Sequence, residues 1–128
     1  MALCEWLCDQ GNIDQLKLRT LKPLRKDLLS VHGIGPETAD DILLYALDKP
    51  VFVIDAYTRR LFSRLGMLDY KANYGCLKLG FEQSLDNDVE LFNQYHALIV
   101  VHAKNICQKK PVCKKCCLQN ECLEWKNI

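Results

Sequence analysis

Apolar residues recur along most of this chain at spacings of three and four, the period of helices laid against a common core. From Ile13 to Val31 the segment predicts helix: Leu21, Leu24 and Leu28 share a face, Arg25 and Lys26 lie on another, and Pro23 suits a first turn. After His32-Gly33-Ile34-Gly35-Pro36, a second stripe of Ala39, Ile42, Leu43, Ala46 and Leu47 matches one face of a further helix, so the pattern is helix, tight turn, helix. Asp48-Lys49-Pro50 closes that helix, and Val51-Phe52-Val53-Ile54 reads as a short buried extended run. Asp55, with Thr58 three residues on and Leu61, Phe62 and Leu65 behind it, predicts the N-cap of a third helix ending near Gly66. A fourth helix would turn Tyr74, Leu77, Phe81 and Leu85 inward, and a fifth, capped within Asp86-Asn87-Asp88, would carry Phe92, Tyr95, Ile99 and His102 toward Cys107. The prediction is an all-α helical bundle that ends in a cysteine-rich loop, with no internal repeat.

Composition narrows the class. A chain of 128 residues suits one compact domain, or one core with a small metal-stapled appendage, and 49% hydrophobic with 26% charged residues argues for a folded chain. The longest apolar runs, Val51 to Ile54 and Ala97 to Ala103 with His102 inside it, fall far short of the roughly 20 residues of a membrane span. Met1 to Cys8 contains Glu5 and lacks the basic flank of an export signal, so a cytoplasmic setting, with the chromosomal DNA, is expected and no membrane partner is. A formal net charge of +1 neither favours nor excludes nucleic acid, which leaves the question to local charge. Of the eight cysteines, Cys4, Cys8 and Cys76 are scattered while the others crowd between Cys107 and Cys122. In a reducing compartment that crowding points to metal ligation before disulfides.

The turn Gly33-Ile34-Gly35-Pro36-Glu37-Thr38 is the first candidate for chemistry. Its glycines permit positive φ and close approach, Pro36 suits the first helical position, and the amides of a helix start can hold a phosphate without reading sequence. An ordinary helix–helix turn would look the same in isolation. The run from Leu29 to Ala39, however, resembles the helix-hairpin-helix of the DNA glycosylase superfamily that includes endonuclease III. The resemblance implies that Gly33, Ile34 and Gly35 meet a DNA backbone.

In that superfamily a short apolar run after the hairpin ends in an aspartate, and Val53-Ile54-Asp55-Ala56-Tyr57-Thr58-Arg59-Arg60 looks like that segment. The resemblance nominates Asp55 as catalytic. A carboxylate suits the task, because breaking a glycosidic bond builds positive charge on the sugar and the attacking water needs orienting or deprotonating. Asp55 as a helix cap is the plainer reading, and one residue can serve both ends. Tyr57, Arg59 and Arg60 are given no site role. The sequence departs from strand-cutting members of the family, which have a lysine two positions after the hairpin's second glycine to form a Schiff base; here stands Glu37. A carboxylate forms no imine, so the expected reaction is base removal by water, leaving an abasic site.

Cys107, Cys113, Cys116 and Cys122 stand with five, two and five residues between them, a thiolate set able to wrap one metal centre, whether zinc or iron–sulfur. The pattern looks like the endonuclease III loop that holds a [4Fe–4S] cluster, although the usual family spacing has one more residue in its first interval. Cys117 is expected to be a bystander, since Cys122 preserves the last interval. Lys104, Lys109, Lys110, Lys114 and Lys115 fall in the same stretch with no acidic residue among them, and on a pinned loop Lys109, Lys110, Lys114 and Lys115 would form a fixed phosphate-binding patch. The cluster is expected to act structurally by presenting them.

The resemblance runs from about Gly11 to Cys122 and matches the second half of an ordinary family member, leaving that member's amino-terminal half without a counterpart. Two units are expected: residues 1–104 as a partial helix-hairpin-helix glycosylase domain and residues 105–128 as the iron–sulfur loop. Two functions follow from the resemblance. One is a monofunctional base-excision glycosylase that hydrolyses the bond of a flipped damaged base in double-stranded DNA. The other is a non-catalytic DNA-binding iron–sulfur fragment of such an enzyme.

Overall fold

The computed structural model describes residues 2–127. In chain order the elements are α1 (Ala2–Asp9), α2 (Ile13–Lys17), α3 (Leu21–Ser30), α4 (Pro36–Asp41) continuing into a π-helical turn (Ile42–Ala46), α5 (Ala56–Leu65), α6 (Tyr74–Ser84), α7 (Val89–Asn105), two 3-10 turns (Cys113–Lys115 and Gln119–Glu121) and α8 (Leu123–Lys126). No strand occurs among the described residues, so the all-α expectation holds.

Two departures from the expected pattern have physical causes. The single helix expected over 13–31 is two. Asn12 and Gln15 close a capping box at the start of α2, and the chain then breaks at Leu18, which is 86% exposed, before restarting at Leu21. Pro23 explains the restart: inside an uninterrupted helix it would remove a bond and clash, whereas in the first turn of α3 its missing N–H has no acceptor to lose. The second helix of the hairpin, expected to be regular, widens at Ile42–Ala46, where the Leu47 N–H donates to the Ile42 carbonyl five residues back at 3.1 Å. Such widened turns change the direction in which the following side chains leave the helix.

Val51–Ile54 is extended and almost wholly buried, yet it has no sheet to complete its backbone bonds. Side chains do so instead. The Phe52 N–H donates to the Glu82 carboxylate (2.9 Å) and the Ile54 N–H to the Tyr74 hydroxyl (3.4 Å), so α6 serves as the partner that a neighbouring strand would otherwise provide. Phe52 stacks on Phe81 at 4.5 Å between ring centres and meets Phe92 edge-on at 5.7 Å, which ties the run to α6 and α7.

A buried polar brace joins the hairpin to this run. Asp40 in α4 is fully buried, and its carboxylate accepts two bonds from the Arg25 guanidinium (2.8 and 3.2 Å) and one from the Tyr74 hydroxyl (2.9 Å). Burial, then Asp40, pushes the Tyr74 hydroxyl far above its ordinary range, so it stays a donor. Breaking such a pair costs several kcal/mol, on the order of 3–5, because a charge is left buried alone. The hairpin and the run that delivers Asp55 are thereby fixed relative to each other.

Candidate active site and cysteine pocket

Asp55 caps α5 as the sequence predicts, and every bond it makes lies within the chain. Its Oδ1 accepts from the Thr58 backbone N–H (2.8 Å) and from the Thr58 hydroxyl (2.9 Å). Its Oδ2 lies 2.8 Å from Nε2 of His96, a buried residue of α7, and Nδ1 of the same ring lies 2.5 Å from the Tyr45 hydroxyl. The Asp55 side chain keeps 14% of its surface exposed. Burial pushes its carboxyl up, but the bonds from His96 and Thr58 outweigh that, and the net displacement is downward. Asp55 is therefore a partly buried, ionised carboxylate with one face toward solvent.

Glu37, Asp41 and Tyr45, four residues apart on α4 and its π-helical turn, form the opposing row. Burial, then Asp55 and Asp41, hold the Glu37 carboxyl above its ordinary range. Burial also raises Asp41, with Asp55 adding to it and His96 opposing it. Glu37 thus lies within electrostatic reach of Asp55. At the turn itself, Gly33 adopts φ +85°, which explains one glycine. Gly35 caps α4 with ordinary extended dihedrals, and no atom lies within 4 Å of where its Cβ would stand, so nothing inside the chain demands a glycine there. Ile34 is half-buried and packs on the core.

Cys107, Cys113, Cys116 and Cys122 line one cavity, closed by Leu61, Ile106, Leu118 and Trp125. Cys117 is exposed and lies outside it. Among the described residues no three His, Cys, Asp or Glu side chains converge on a point as a single ion requires. Four thiols around an apolar hollow are the donor set of a thiolate-held metal group, and a cluster in which each iron takes one thiolate is one they would fit. Burial, then Cys107, Cys116 and Cys122, raises the Cys113 thiol, which places Cys113 within electrostatic reach of the other three.

Two arginines of α5 tie this pocket to the bundle. Arg60 donates to the carbonyls of Ala103 and Cys107 (2.9 Å each), and Arg64 donates to those of Gln108 (2.5 Å) and Lys109 (2.9 Å) while pairing with Glu124 (3.3 Å). Nothing in their spacing announced these roles.

Comparisons with known proteins bear on the family and the fold. A helix-hairpin-helix motif model matches residues 22–45. A protein of Methanocaldococcus jannaschii named "Putative DNA repair glycosylase MJ1434" is 54% identical over 100 residues, covering 78% of this chain and 46% of that protein. The endonuclease III of Sulfolobus acidocaldarius is 35% identical over 100 residues, covering 77% of this chain and 44% of its own length. Among solved structures, a non-covalent endonuclease III–DNA complex superposes with a TM-score of 0.77 at 21% identity, over 98% of this chain and 55% of that one. Over most of its length the chain is similar to endonuclease III-like helix-hairpin-helix proteins, and it shares their fold. It spans about half the length of the curated relatives it matches.

Within the endonuclease III-like frame, the predicted site residues fall at two places. Asp55, Glu37 and the hairpin share one end of α4. The cysteines and lysines share the far end of α7, where Lys109, Lys110, Lys114 and Lys115 are exposed and, among the described residues, form no ion pair. His96 and Tyr45 are functional neighbours the sequence reading did not single out. His96 lies on the buried face of α7 with Phe92, Ile99 and Ala103, where a histidine reads as core, and its capacity to face Asp55 depends on a contact 41 residues away in sequence. Among the described residues no helix is long and apolar enough to cross a membrane.

Proposed function

We propose that this chain carries the hydrolytic centre of a base-excision DNA glycosylase, with Asp55 as the catalytic carboxylate acting on a damaged base flipped out of double-stranded DNA. The observation that carries this reading is the state of Asp55: ionised, held by three bonds from Thr58 and His96, and open on one side at the end of the hairpin's second helix. A fixed carboxylate there stabilises the positive charge that grows on the sugar as the base departs, and orients the water that replaces it.

The reaction proposed is monofunctional. The position that carries a lysine in strand-cutting relatives is Glu37, whose carboxyl sits near Asp55 and cannot form an imine. DNA would approach the hairpin at Gly33, Ile34 and Gly35. The unexplained glycine at Gly35, with open space beyond it, supports a backbone-to-backbone approach. Lys109, Lys110, Lys114 and Lys115 would meet phosphates from the other end of the same chain.

Cys107, Cys113, Cys116 and Cys122 would hold a [4Fe–4S] cluster, and that group would supply cross-linking rather than reaction chemistry. The chain's own residues do the rest: Arg60 and Arg64 fix the backbone that bears the lysines, and Thr58 fixes Asp55.

The test is base release from duplexes bearing single defined lesions, followed by borohydride treatment. The expected result is free base and an intact abasic strand with no covalent trapping. Efficient trapping would overturn the monofunctional assignment. Tight binding to duplex DNA with no base released from any lesion would favour a non-catalytic DNA-binding role instead.

A further inference from the structure

We propose that His96, its tautomer fixed by Tyr45, is the positioning residue of Asp55, reserving one lone pair of Oδ2 for the reacting sugar or water. The inference rests on the reading of Asp55 as the catalytic carboxylate and adds how that carboxylate is aimed.

An ionised carboxylate only accepts, so Nε2 of His96, 2.8 Å from Oδ2, is the donor. A neutral ring then presents Nδ1 as an acceptor, and the Tyr45 hydroxyl at 2.5 Å donates to it. This directional chain, Tyr45 to His96 to Asp55, leaves no polar atom of the ring unpaired, and no buried side-chain N or O atom lacks a partner among the described residues. Each carboxylate oxygen has two acceptor sites. Both sites of Oδ1 are taken by Thr58, and one of Oδ2 by His96. One site on Oδ2 remains, in a side chain that keeps 14% of its surface exposed.

The π-helical turn is a second, independent observation. A regular helix over 36–47 would set Tyr45 at a different angle, and the extra residue per turn at Ile42–Ala46 places its hydroxyl on His96 while the rest of the residue stays 45% exposed. Widened turns of this kind cost helix regularity and recur at functional sites. The same turn buries Leu43 and Leu44, so it packs the core on one side and presents the Tyr45 hydroxyl to His96 on the other.

A misaimed catalytic group loses rate without losing affinity. The experiment has two arms. In the first, the ring nitrogens of His96 are observed by 15N-edited NMR in this chain at mildly alkaline pH. The expected signature is protonation at Nε2 alone, with loss of that preference in Tyr45→Phe. A ring protonated at Nδ1, or a preference unchanged in Tyr45→Phe, overturns the relay, and this arm decides whether or not the chain releases base. In the second, single-turnover base release is compared with DNA affinity. His96→Leu is expected to lose on the order of 10²-fold in rate at unchanged affinity. His96→Gln, whose amide can still donate to Oδ2, is expected to return within about tenfold of the starting rate. Tyr45→Phe, at a half-exposed position, should fall in the same direction and carries the test if His96→Leu does not fold. His96→Leu at full rate sinks the inference alone, whereas Asp55→Asn at full rate sinks the reading beneath it.

Discussion

The Asp55 centre and the cysteine pocket are built on opposite principles. Around Asp55 each polar atom has its partner within the chain, supplied by Thr58, His96 and Tyr45, and the supporting run Val51–Ile54 is buried among aromatic rings. The segment after Cys107 has only short 3-10 turns and one four-residue helix, and its ties to the bundle are chiefly carbonyl bonds to Arg60 and Arg64. Its cavity is lined by thiols that repel one another once ionised. The first region is organised by folding itself, whereas the second, on the proposed reading, would be completed by the group its thiols hold. Substitutions at the two places should therefore fail in different ways.

The largest effect is expected at Asp55. Asparagine caps a helix about as well as aspartate, so Asp55→Asn keeps the Thr58 bond and removes the charge. Base release measured in single turnover should fall by roughly 10²–10⁴, while folding, iron content and affinity for undamaged DNA hold. The pH dependence has a definite sign. Because the native carboxyl is held below its ordinary value, it contributes stability that is present above the ordinary aspartate range and lost as pH falls through the lowered value. Acid titration of the fold should thus cost the parent protein more than Asp55→Asn. A variant with the normal rate and the normal acid response would reduce Asp55 to a cap.

In the cysteine pocket the failure should be structural. Cys113→Ser is expected to lose iron and to raise proteolysis or hydrogen exchange over residues 107–127, leaving α3 and α5 protected. Cys117→Ser, outside the cavity, should retain the full complement of metal. Metal retained in Cys113→Ser and lost in Cys117→Ser would reassign the ligands.

How much of this was legible depended on range. Elements set by neighbours three and four residues apart were readable: the hairpin, the Asp55 cap, the αL stop at Gly66, α6 and α7. The amphipathic reading ran through Leu18–Thr20 because leucine periodicity continues across the break, and only the position of Pro23 hinted at a restart. Tyr45 and His96 were invisible because their pairing spans 51 residues and depends on a distortion that no apolar stripe records. Asp40 illustrates the same point: an acidic residue on a helix ordinarily reads as solvated face, and its burial follows from Arg25 and Tyr74, elements that the fold brings together.

A smaller effect tests how the two regions are joined. Gly66 ends α5 at φ +90°, and a Cβ there would stand 2.8 Å from the Leu123 side chain of α8. Gly66→Ala should lose about 1–2 kcal/mol from the left-handed conformation alone, read as a lowered unfolding midpoint, with α8 loosening first because it can swing away. Uniform loss of protection across α3, α5 and α8 would instead mean that the cysteine segment and the bundle unfold as one unit.

The smallest effect is expected at the lysines, and it separates presentation from catalysis. Lys109 and Lys110 are exposed, and the Lys109 carbonyl is held by Arg64 at 2.9 Å, so their backbone is fixed while their ammonium groups project. Fixed cations release counterions from DNA at little ordering cost, and each phosphate contact adds roughly one unit to the dependence of affinity on salt. Lys109→Ala with Lys110→Ala should lower duplex affinity and reduce the salt slope by about 2, equally for damaged and undamaged DNA. The single-turnover rate at saturating enzyme should not change, because the lysines act where the duplex is held and not at Asp55. The same pair of substitutions in a protein carrying Arg64→Leu should cost less, since lysines on a loosened loop already bind poorly. A salt slope unchanged by the double substitution would remove the patch from the interface and leave the hairpin to hold the backbone.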